Sequence, residues 1–158
     1  MKIAIGCDPN AEIEKQAIIE FIQKKGYGEI VDFGSEDPIY AHVAIQLAEA
    51  VARKEYDRGI LLCGTGIGMS IAANKVTGAY AALVSDVYSA QRARLSNDAN
   101  IITMGAFTTG SKIREEMVAA FLTNEFVSGC RSQVKVDAYH KYDEEKTLVS
   151  NIKEGNVK

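Results

Sequence analysis

A lone cysteine stands between an apolar run and a glycine-rich turn near the middle of the chain. Cys63 ends the run 60–62, which has the length and composition of a buried strand. Three glycines follow at alternate positions, Gly64, Gly66 and Gly68. Glycine permits positive φ and a close approach of backbone amides to a ligand. Apolar residues then recur at helical spacing, so a helix is predicted to begin near Gly66 or Ile67, with its free N–H groups facing Cys63.

This arrangement suits an anion, because the start of a helix carries unpaired N–H groups and positive partial charge. The thiolate form of Cys63 would be favoured there, and it would serve as a base or as a nucleophile. The alternative is a small buried hydrophobe whose neighbouring glycines only allow close packing. Three alternating glycines after a strand favour the functional interpretation. The sequence order matches neither a P-loop nor, with any clarity, a dinucleotide-binding turn.

The bulk composition predicts one domain that handles small molecules. A chain of 158 residues with 47% hydrophobic content can bury a sizeable core, so residues 1–158 are expected to form a single domain. A net charge of −3 provides no basic face for nucleic acid. No apolar stretch approaches the roughly 18 residues of a membrane span, and no signal peptide is apparent. These features predict a cytoplasmic protein that binds neither nucleic acid nor membrane.

The spacing of the cysteines is not that of a disulfide framework. They are odd in number, widely spaced and without a C-x-x-C pair: Cys7, Cys63 and Cys130. Neither a disulfide set nor a zinc site is predicted, and a reducing compartment fits this usage.

Strand and helix patterns alternate along the chain. Strands are predicted at 3–5, 29–33, 60–63, 79–84 and 101–104, and helices at 11–25, 40–51, 66–75, 86–95 and 111–122. One face of the first helix is expected to lie on the core, through Ile13, Ala17, Phe21 and Ile22. Strict alternation with short connections predicts parallel strands covered by helices on both faces. The expected fold is therefore a three-layer αβα sandwich around a five-stranded, parallel, Rossmann-like sheet.

Ligands of such sheets bind beyond the carboxyl ends of the strands. This rule collects one shared rim from Cys7 and Asp8, the segment 63–68, Ser85 and Asp86, and the residues from Gly105 onward. A long helix with a modest apolar stripe is predicted within the charged segment from about 130 to 158. Because it follows a finished sheet, this C-terminal helix is expected to pack on another copy of the chain.

Four segments resemble the family of type-B ribose-5-phosphate isomerases and galactose-6-phosphate isomerases. They are Gly6-Cys7-Asp8, the stretch 63–75 that begins Cys63-Gly64-Thr65-Gly66, the stretch 85–90, and Asn97-Asp98-Ala99-Asn100. The resemblance covers roughly residues 1 to 140. It implies an aldose–ketose isomerase of a sugar phosphate that needs no cofactor or metal. It also implies a dimer in which each active site is completed by the neighbouring subunit, and pairing of such dimers into a tetramer stays open.

The same resemblance implies roles for individual residues. Cys63 matches the catalytic base, and Thr65 matches a residue that moves hydroxyl protons. The anion hole would be formed by the amides of Gly64, Gly66, Ile67, Gly68, Met69 and Ser70. Asp8, Tyr40 and Asn97 match residues that hold sugar hydroxyls. The alternatives for these three are a helix-capping carboxylate, a core aromatic ring and a turn residue, respectively.

Several positions depart from the family pattern. Pro9 stands where a histidine is usual, and Ser96 stands where a ring-opening histidine is usual. Phe107 replaces an arginine, which removes a charge. Arg131 and Lys135 lie four residues apart and would share one helix face, either to hold a phosphate across a dimer interface or as solvated surface charges.

The loss of the histidine at Ser96 bears on the substrate. A serine hydroxyl is a poor acid or base near neutral pH, so opening a closed sugar ring would lack its catalyst. A tetrose 4-phosphate has its ring-closing hydroxyl blocked and needs no such step. Three functions stay open: a ribose 5-phosphate isomerase, an isomerase of tetrose 4-phosphate or galactose 6-phosphate, and a partner subunit of a hetero-oligomeric galactose-6-phosphate isomerase. A sugar-binding module without turnover ranks lowest.

Overall fold

The computed structural model describes residues 1–34 and 36–153, with side chains as far as residue 146. The strands are β1 (Lys2–Cys7), β2 (Glu29–Asp32), β3 (Arg58–Cys63), β4 (Ala81–Leu83) and β5 (Ile101–Gly105). The helices are α1 (Glu12–Lys25), α2 (Tyr40–Ala52), α3 (Ile67–Ala73), α4 (Val87–Leu95), α5 (Ser111–Thr123) and α6 (Gln133–Lys153). A short 3-10 turn, Pro9–Ala11, links β1 to α1.

The five strands form one parallel sheet in the order β2-β1-β3-β5-β4. The central strand β3 is buried along its whole length, as is usual where helices cover both faces of a parallel sheet. Its register pairs Gly59 with Ile101 and Cys63 with Gly105. The predicted fold, a five-stranded parallel sheet in an α/β sandwich, is confirmed.

Two apolar cores lie on opposite faces of the sheet. Ile60 and Leu62 point into the core formed with α1, α4 and α5, whereas Leu61 and Cys63 point into the core formed with α2 and α3. Successive strand residues face opposite sides, so this division follows from the pleat. Cys63 therefore lies on the side of the sheet that α2 and α3 cover.

Strand β4 is shorter than the predicted 79–84. Residues 79 and 80 lie outside the strand, and their N–H groups bind other acceptors. The N–H of Ala79 donates to the carbonyl of Val76. The N–H of Tyr80 donates to the side-chain oxygen of Asn100 over 2.8 Å. The sheet therefore ends on a three-residue edge strand.

The predicted buried face of α1 was wrong in part. Ile13 is 82% exposed and Ala17 is exposed, whereas the buried residues of the helix are Lys15, Ile18, Ile19 and Ile22. The buried residues recur at i, i+3, i+4 and i+7, which is one face of a helix. Lys15 lies on this face because its Nζ is paired, 2.8 Å from Asp32 and 3.0 Å from Glu12. An apolar pattern does not select a face that includes a lysine.

The C-terminal helix α6 is present, and its apolar stripe is only partly buried. Val136 is buried, whereas Val134 and Tyr142 are exposed. The helix is attached at the amino ends of β4 and β5, where the Tyr139 hydroxyl donates to the carbonyl of Asn97. The Asp143 carboxylate accepts the N–H of Gly78 over 2.7 Å. Packing of segment 130–158 on a second copy stays a prediction, and residues 154–158 lie outside the described part of the chain.

Candidate active site

The site lies at the carboxyl edge of the sheet, where the topology switches between β1 and β3. From β1 the chain proceeds to β2 on one side, and from β3 it proceeds to β4 and β5 on the other. Such switch points form the ligand crevice of open α/β sheets. The Asp8 N–H donates to the carbonyl of Leu62 over 3.2 Å, so Asp8 lies next to Cys63 at this point.

The sulfur of Cys63 accepts a backbone hydrogen bond. The N–H of Gly66 donates to Cys63 Sγ over 3.1 Å, and the Cys63 residue is 5% exposed. Gly66 has a φ of +78°, and a Cβ at this position would lie 2.7 Å from Leu83 and 2.8 Å from the backbone of Met104. Only glycine fits both restrictions. The candidate base is thus held against a backbone donor just before the first turn of α3.

The loop 63–66 is held by β5 and the turn after it. The carbonyl of Cys63 accepts the N–H of Ala106 over 2.8 Å, and the carbonyl of Gly64 accepts the N–H of Phe107 over 3.0 Å. The Thr103 hydroxyl donates to the carbonyl of Gly66 over 3.0 Å. Sequence reasoning missed Thr103 as an anchor, although a single hydroxyl within the apolar run 101–104 was a usable signal. The amides of this loop are therefore fixed before any substrate binds.

Helix α3 begins at Ile67, as predicted, and its first turn decides which amides face outward. The N–H of Ser70 donates to the carbonyl of Gly66, and its hydroxyl donates to the carbonyl of Ala81. Both donors of Ser70 are thus engaged within the fold. The amides of Gly68 and Met69 belong to the first turn, which has no intrahelical acceptors. Of the predicted set, these two amides are therefore the candidates for oxyanion donors.

Thr65 stands on the outer side of this loop. Its side chain is exposed, and its hydroxyl accepts the N–H of Ile67 at 3.4 Å, a long hydrogen bond. The hydroxyl is therefore free to turn toward a ligand without breaking a strong interaction.

Two aromatic rings lie against the glycine loop. A Cβ added to Gly68 would lie 2.4 Å from Cζ and 2.7 Å from the hydroxyl of Tyr40, so that ring covers Gly68 directly. Tyr40 is 42% exposed and is not a core aromatic. The ring of Phe107 lies over Gly64, where a Cβ would approach it to 3.0 Å, and Phe107 is 74% exposed. One polar and one apolar ring thus flank the candidate anion hole.

Asp8 and Cys7 behave differently from Cys63. The Asp8 carboxylate accepts the N–H of Asn10 over 3.1 Å and its side-chain amide over 3.3 Å, so Asp8 does cap the turn that follows it. Burial, with a further contribution from the carboxylate of Glu12, raises the pKa of the Cys7 thiol to about 12. Cys7 therefore stays protonated at neutral pH, which leaves Cys63 as the candidate base at this rim.

Ser96 and Asn97 lie at the opposite edge of the sheet. They precede Ile101, the first residue of β5, whereas Cys63 pairs with Gly105, the last residue of that strand. Four residue steps of about 3.3 Å therefore separate the two ends of β5, roughly 13 Å in all. The Asn97 amide donates to the carbonyl of Arg92 over 3.2 Å. The Ser96 hydroxyl accepts a hydrogen bond from the Arg92 guanidinium. One chain by itself does not bring these two residues to Cys63.

The sequence neighbours of Arg131 and Lys135 assign them to the same edge as Asn97. Along the chain they lie between Glu125, which binds Arg58 at the amino end of β3 over 2.6 Å, and Tyr139, which binds Asn97. Both side chains are exposed. The predicted site residues therefore divide into a rim group, Asp8, Tyr40 and the residues 63–70, and an amino-edge group, Ser96, Asn97, Arg131 and Lys135.

Other site types find little support in the described residues. Within 1–34 and 36–146, His, Cys, Asp and Glu side chains form no group of three or more that could hold a metal ion. No described helix combines the length and apolarity that a membrane crossing requires.

A thiol held against a backbone amide at the switch point of a parallel sheet is the central feature of this small α/β protein. The sequence profile of the Ribose/Galactose Isomerase family matches residues 3–139. The chain belongs to this isomerase family, which confirms the predicted family and the predicted class of enzyme.

Individual relatives cover nearly the whole chain. Ribose-5-P isomerase B of Listeria innocua is 48% identical over 91% of this chain and 98% of its own. D-erythrulose-4-phosphate isomerase of Pectobacterium atrosepticum is 44% identical over 91% of this chain and 97% of its own. The structure of Clostridium thermocellum ribose-5-phosphate isomerase B superposes with a TM-score of 0.85 at 38% identity, over 92% of this chain and 99% of that one.

Proposed function

We propose that the chain interconverts the aldose and ketose forms of a sugar phosphate, with Cys63 as the base. The base removes a proton from the carbon beside the carbonyl, and the proton returns to the adjacent carbon through an enediolate. The single observation that carries this proposal is the hydrogen bond from Gly66 to Cys63 Sγ, next to the first turn of α3. A base and an oxyanion cradle within one loop would meet the two requirements of enediolate chemistry.

The neighbouring side chains fit the remaining steps. The amides of Gly68 and Met69 would stabilise the negative enediolate oxygen. The exposed Thr65 hydroxyl would move a proton between the two substrate oxygens. Asp8 and Tyr40 flank this loop and would hold sugar hydroxyls.

The division of site residues supports a composite active site. Ser96, Asn97, Arg131 and Lys135 would reach Cys63 only from a second copy of the chain. Exposed apolar side chains surround the loop 63–68 and would be covered by that copy: Ile67, Ile71, Leu83, Tyr88 and Phe107. We therefore expect a dimer in which one copy supplies the base and the other the phosphate-binding cations.

The substrate favoured by these residues is a tetrose 4-phosphate. Ser96 offers only a hydroxyl at the position matched to ring opening, and that hydroxyl already accepts from Arg92. Phe107 offers an apolar ring beside Gly64 in place of a charge. A tetrose 4-phosphate needs no ring opening and presents fewer hydroxyls. The relative from P. atrosepticum, named for erythrulose 4-phosphate, is compatible with this choice.

A substrate panel tests the proposal. The purified chain is assayed with erythrose 4-phosphate, ribose 5-phosphate and galactose 6-phosphate, beside Cys63→Ala. We expect the tetrose to react fastest and the variant to lose turnover. Faster turnover of the pentose would favour a ribose 5-phosphate isomerase. Inactivity on all three, reversed by an added unlike subunit, would identify a partner subunit.

A further inference from the structure

A lysine is buried beside the candidate site without touching it. Lys15 is 1% exposed, and its Nζ contacts both oxygens of Asp32, at 2.9 and 2.8 Å, as well as Glu12 at 3.0 Å. A buried charge is costly unless it is well paired, and this pairing is complete for an ammonium group with three donors. The proposed reaction assigns no role to this lysine.

The partner of Lys15 is linked to the rim by backbone hydrogen bonds. Asp32 Oδ1 accepts the N–H of Gly34 over 2.8 Å, and Gly34 turns the chain with a φ of +90°. The carbonyl of Gly34 accepts the N–H of Cys7 over 3.2 Å, and Asp8 is the next residue. The chain of contacts therefore runs from Lys15 through Asp32 and Gly34 to the backbone that carries Asp8.

The Gly34 turn supplies one of several restraints on the backbone at Asp8. On the other side the N–H of Asp8 donates to Leu62 in β3, and the carboxylate holds Asn10. If the Gly34 carbonyl moved away, the peptide of Cys7 would lose its acceptor and the Asp8 side chain would gain freedom. The thiol of Cys7 does not substitute for this restraint, because its hydrogen bond goes to the Glu12 carboxylate, at 3.7 Å, and not to the Gly34 turn.

We propose that Lys15 and Asp32 are positioning residues, which hold the Gly34 turn against Cys7 and so orient Asp8 toward the sugar hydroxyls. This proposal rests on the function proposed above, because it assigns Asp8 to substrate binding. Lys15 sets the position of the Asp32 carboxylate, and the Asp32 carboxylate sets the position of Gly34. Neither side chain contacts the substrate.

The kinetic test compares Lys15→Met and Asp32→Asn with Ile22→Val, a control on the buried face of the same helix. Asp32→Asn keeps the side-chain size and an oxygen that can accept from Gly34, so it provides a folded variant if Lys15→Met is unstable. We expect Lys15→Met to raise KM and lower kcat/KM by about 10- to 100-fold, the usual cost of a misplaced binding group. Asp32→Asn should have a smaller effect, and Ile22→Val should lower stability with kcat/KM unchanged.

A double-variant cycle separates positioning from general destabilisation. In an Asp8→Asn background, Lys15→Met should lower kcat/KM by less than about twofold, since the group that it orients is already removed. Independent, additive losses in the two variants overturn the proposal. So does a loss of activity in Lys15→Met that merely follows its loss of stability, as judged by Ile22→Val.

Amide hydrogen exchange tests the linkage without any activity. The N–H of Cys7 reports the contact with Gly34, and the N–H of Asn10 reports the Asp8 carboxylate. Both should exchange at least about tenfold faster in Lys15→Met than in Ile22→Val when the two variants are compared at equal free energy of unfolding. Unchanged exchange contradicts the positioning role. An inactive wild type with the predicted exchange pattern would instead refute the proposed function and leave the linkage standing.

Discussion

The backbone amide of Gly66 lies 3.1 Å from the sulfur of Cys63 and donates a hydrogen bond to it. Gly66 holds the amide in this direction with a φ of +78°, and its own carbonyl is tied to Thr103. The sulfur is thus held by the same loop that carries the candidate oxyanion donors. A shift of this loop would displace the base and the anion hole together.

Removing the sulfur should slow the chemical step strongly and spare binding. We expect Cys63→Ala to lower kcat by about 10²- to 10⁴-fold with a small change in KM, because a general base acts only in the transition state. Steady-state kinetics on the preferred substrate measures this. Cys130→Ser removes another thiol and should retain wild-type kinetics. Near-normal kcat in Cys63→Ala would exclude Cys63 as the base.

A methyl group on Gly68 should displace Tyr40. The added Cβ would lie 2.4 Å from the ring, so the ring must move, and we expect KM to rise by about tenfold through loss of the Tyr40 hydroxyl. Gly110→Ala is the matched control, since its φ is −74° and no atom lies within 4 Å of the added Cβ. Equal kinetics in the two variants would show that Tyr40 has no part in binding.

Two inactive variants should complement each other if the site is composite. Cys63→Ala and Asn97→Ala are unfolded together, refolded and assayed against each variant alone. Random pairing gives half heterodimers, each with one intact site of two, so about a quarter of the wild-type activity should return. Because Cys63 and Asn97 lie at opposite edges of one chain, activity that stays at the level of the single variants would argue against sites shared between copies.

The ion pairs of Glu125 should make the free energy of unfolding depend on pH in the acid range. Burial opposes ionisation of Glu125, but Arg94 and Arg58 outweigh it and hold the pKa below its ordinary value of 4.5. A lowered pKa stabilises the fold above about pH 4.5, and this contribution is lost as the pH falls through the folded value.

We therefore expect Glu125→Gln to lower the free energy of unfolding by about 1 kcal/mol at pH 7, a modest value because the Glu125 side chain is 60% exposed. The difference from wild type should shrink below about pH 4. Urea denaturation at pH 7 and pH 3.5 measures both values. A difference that grew toward acid would contradict this sign.

The strand, turn and helix around Cys63 were predictable because they are contiguous in sequence. The apolar run, the alternating glycines and the helical spacing after residue 66 each report local backbone preferences. A helix start at Ser85 or Asp86 was predictable for the same reason, and the structure caps α4 with Asp86, whose carboxylate accepts the N–H of Ser89 over 2.7 Å. The buried face of α1 was not predictable. Asp32, which pairs with Lys15, lies on β2, at a position that helical periodicity cannot identify.

The sequence by itself determined the alternation of strands and helices, the parallel sheet and the loop that presents Cys63, because these depend on local pattern and short connections. Only the tertiary structure decided that Tyr40 covers Gly68, that Lys15 is buried against Asp32, and that Asn97 lies at the edge opposite Cys63. Such relations depend on strand order and register, which bring together residues that are far apart in the chain.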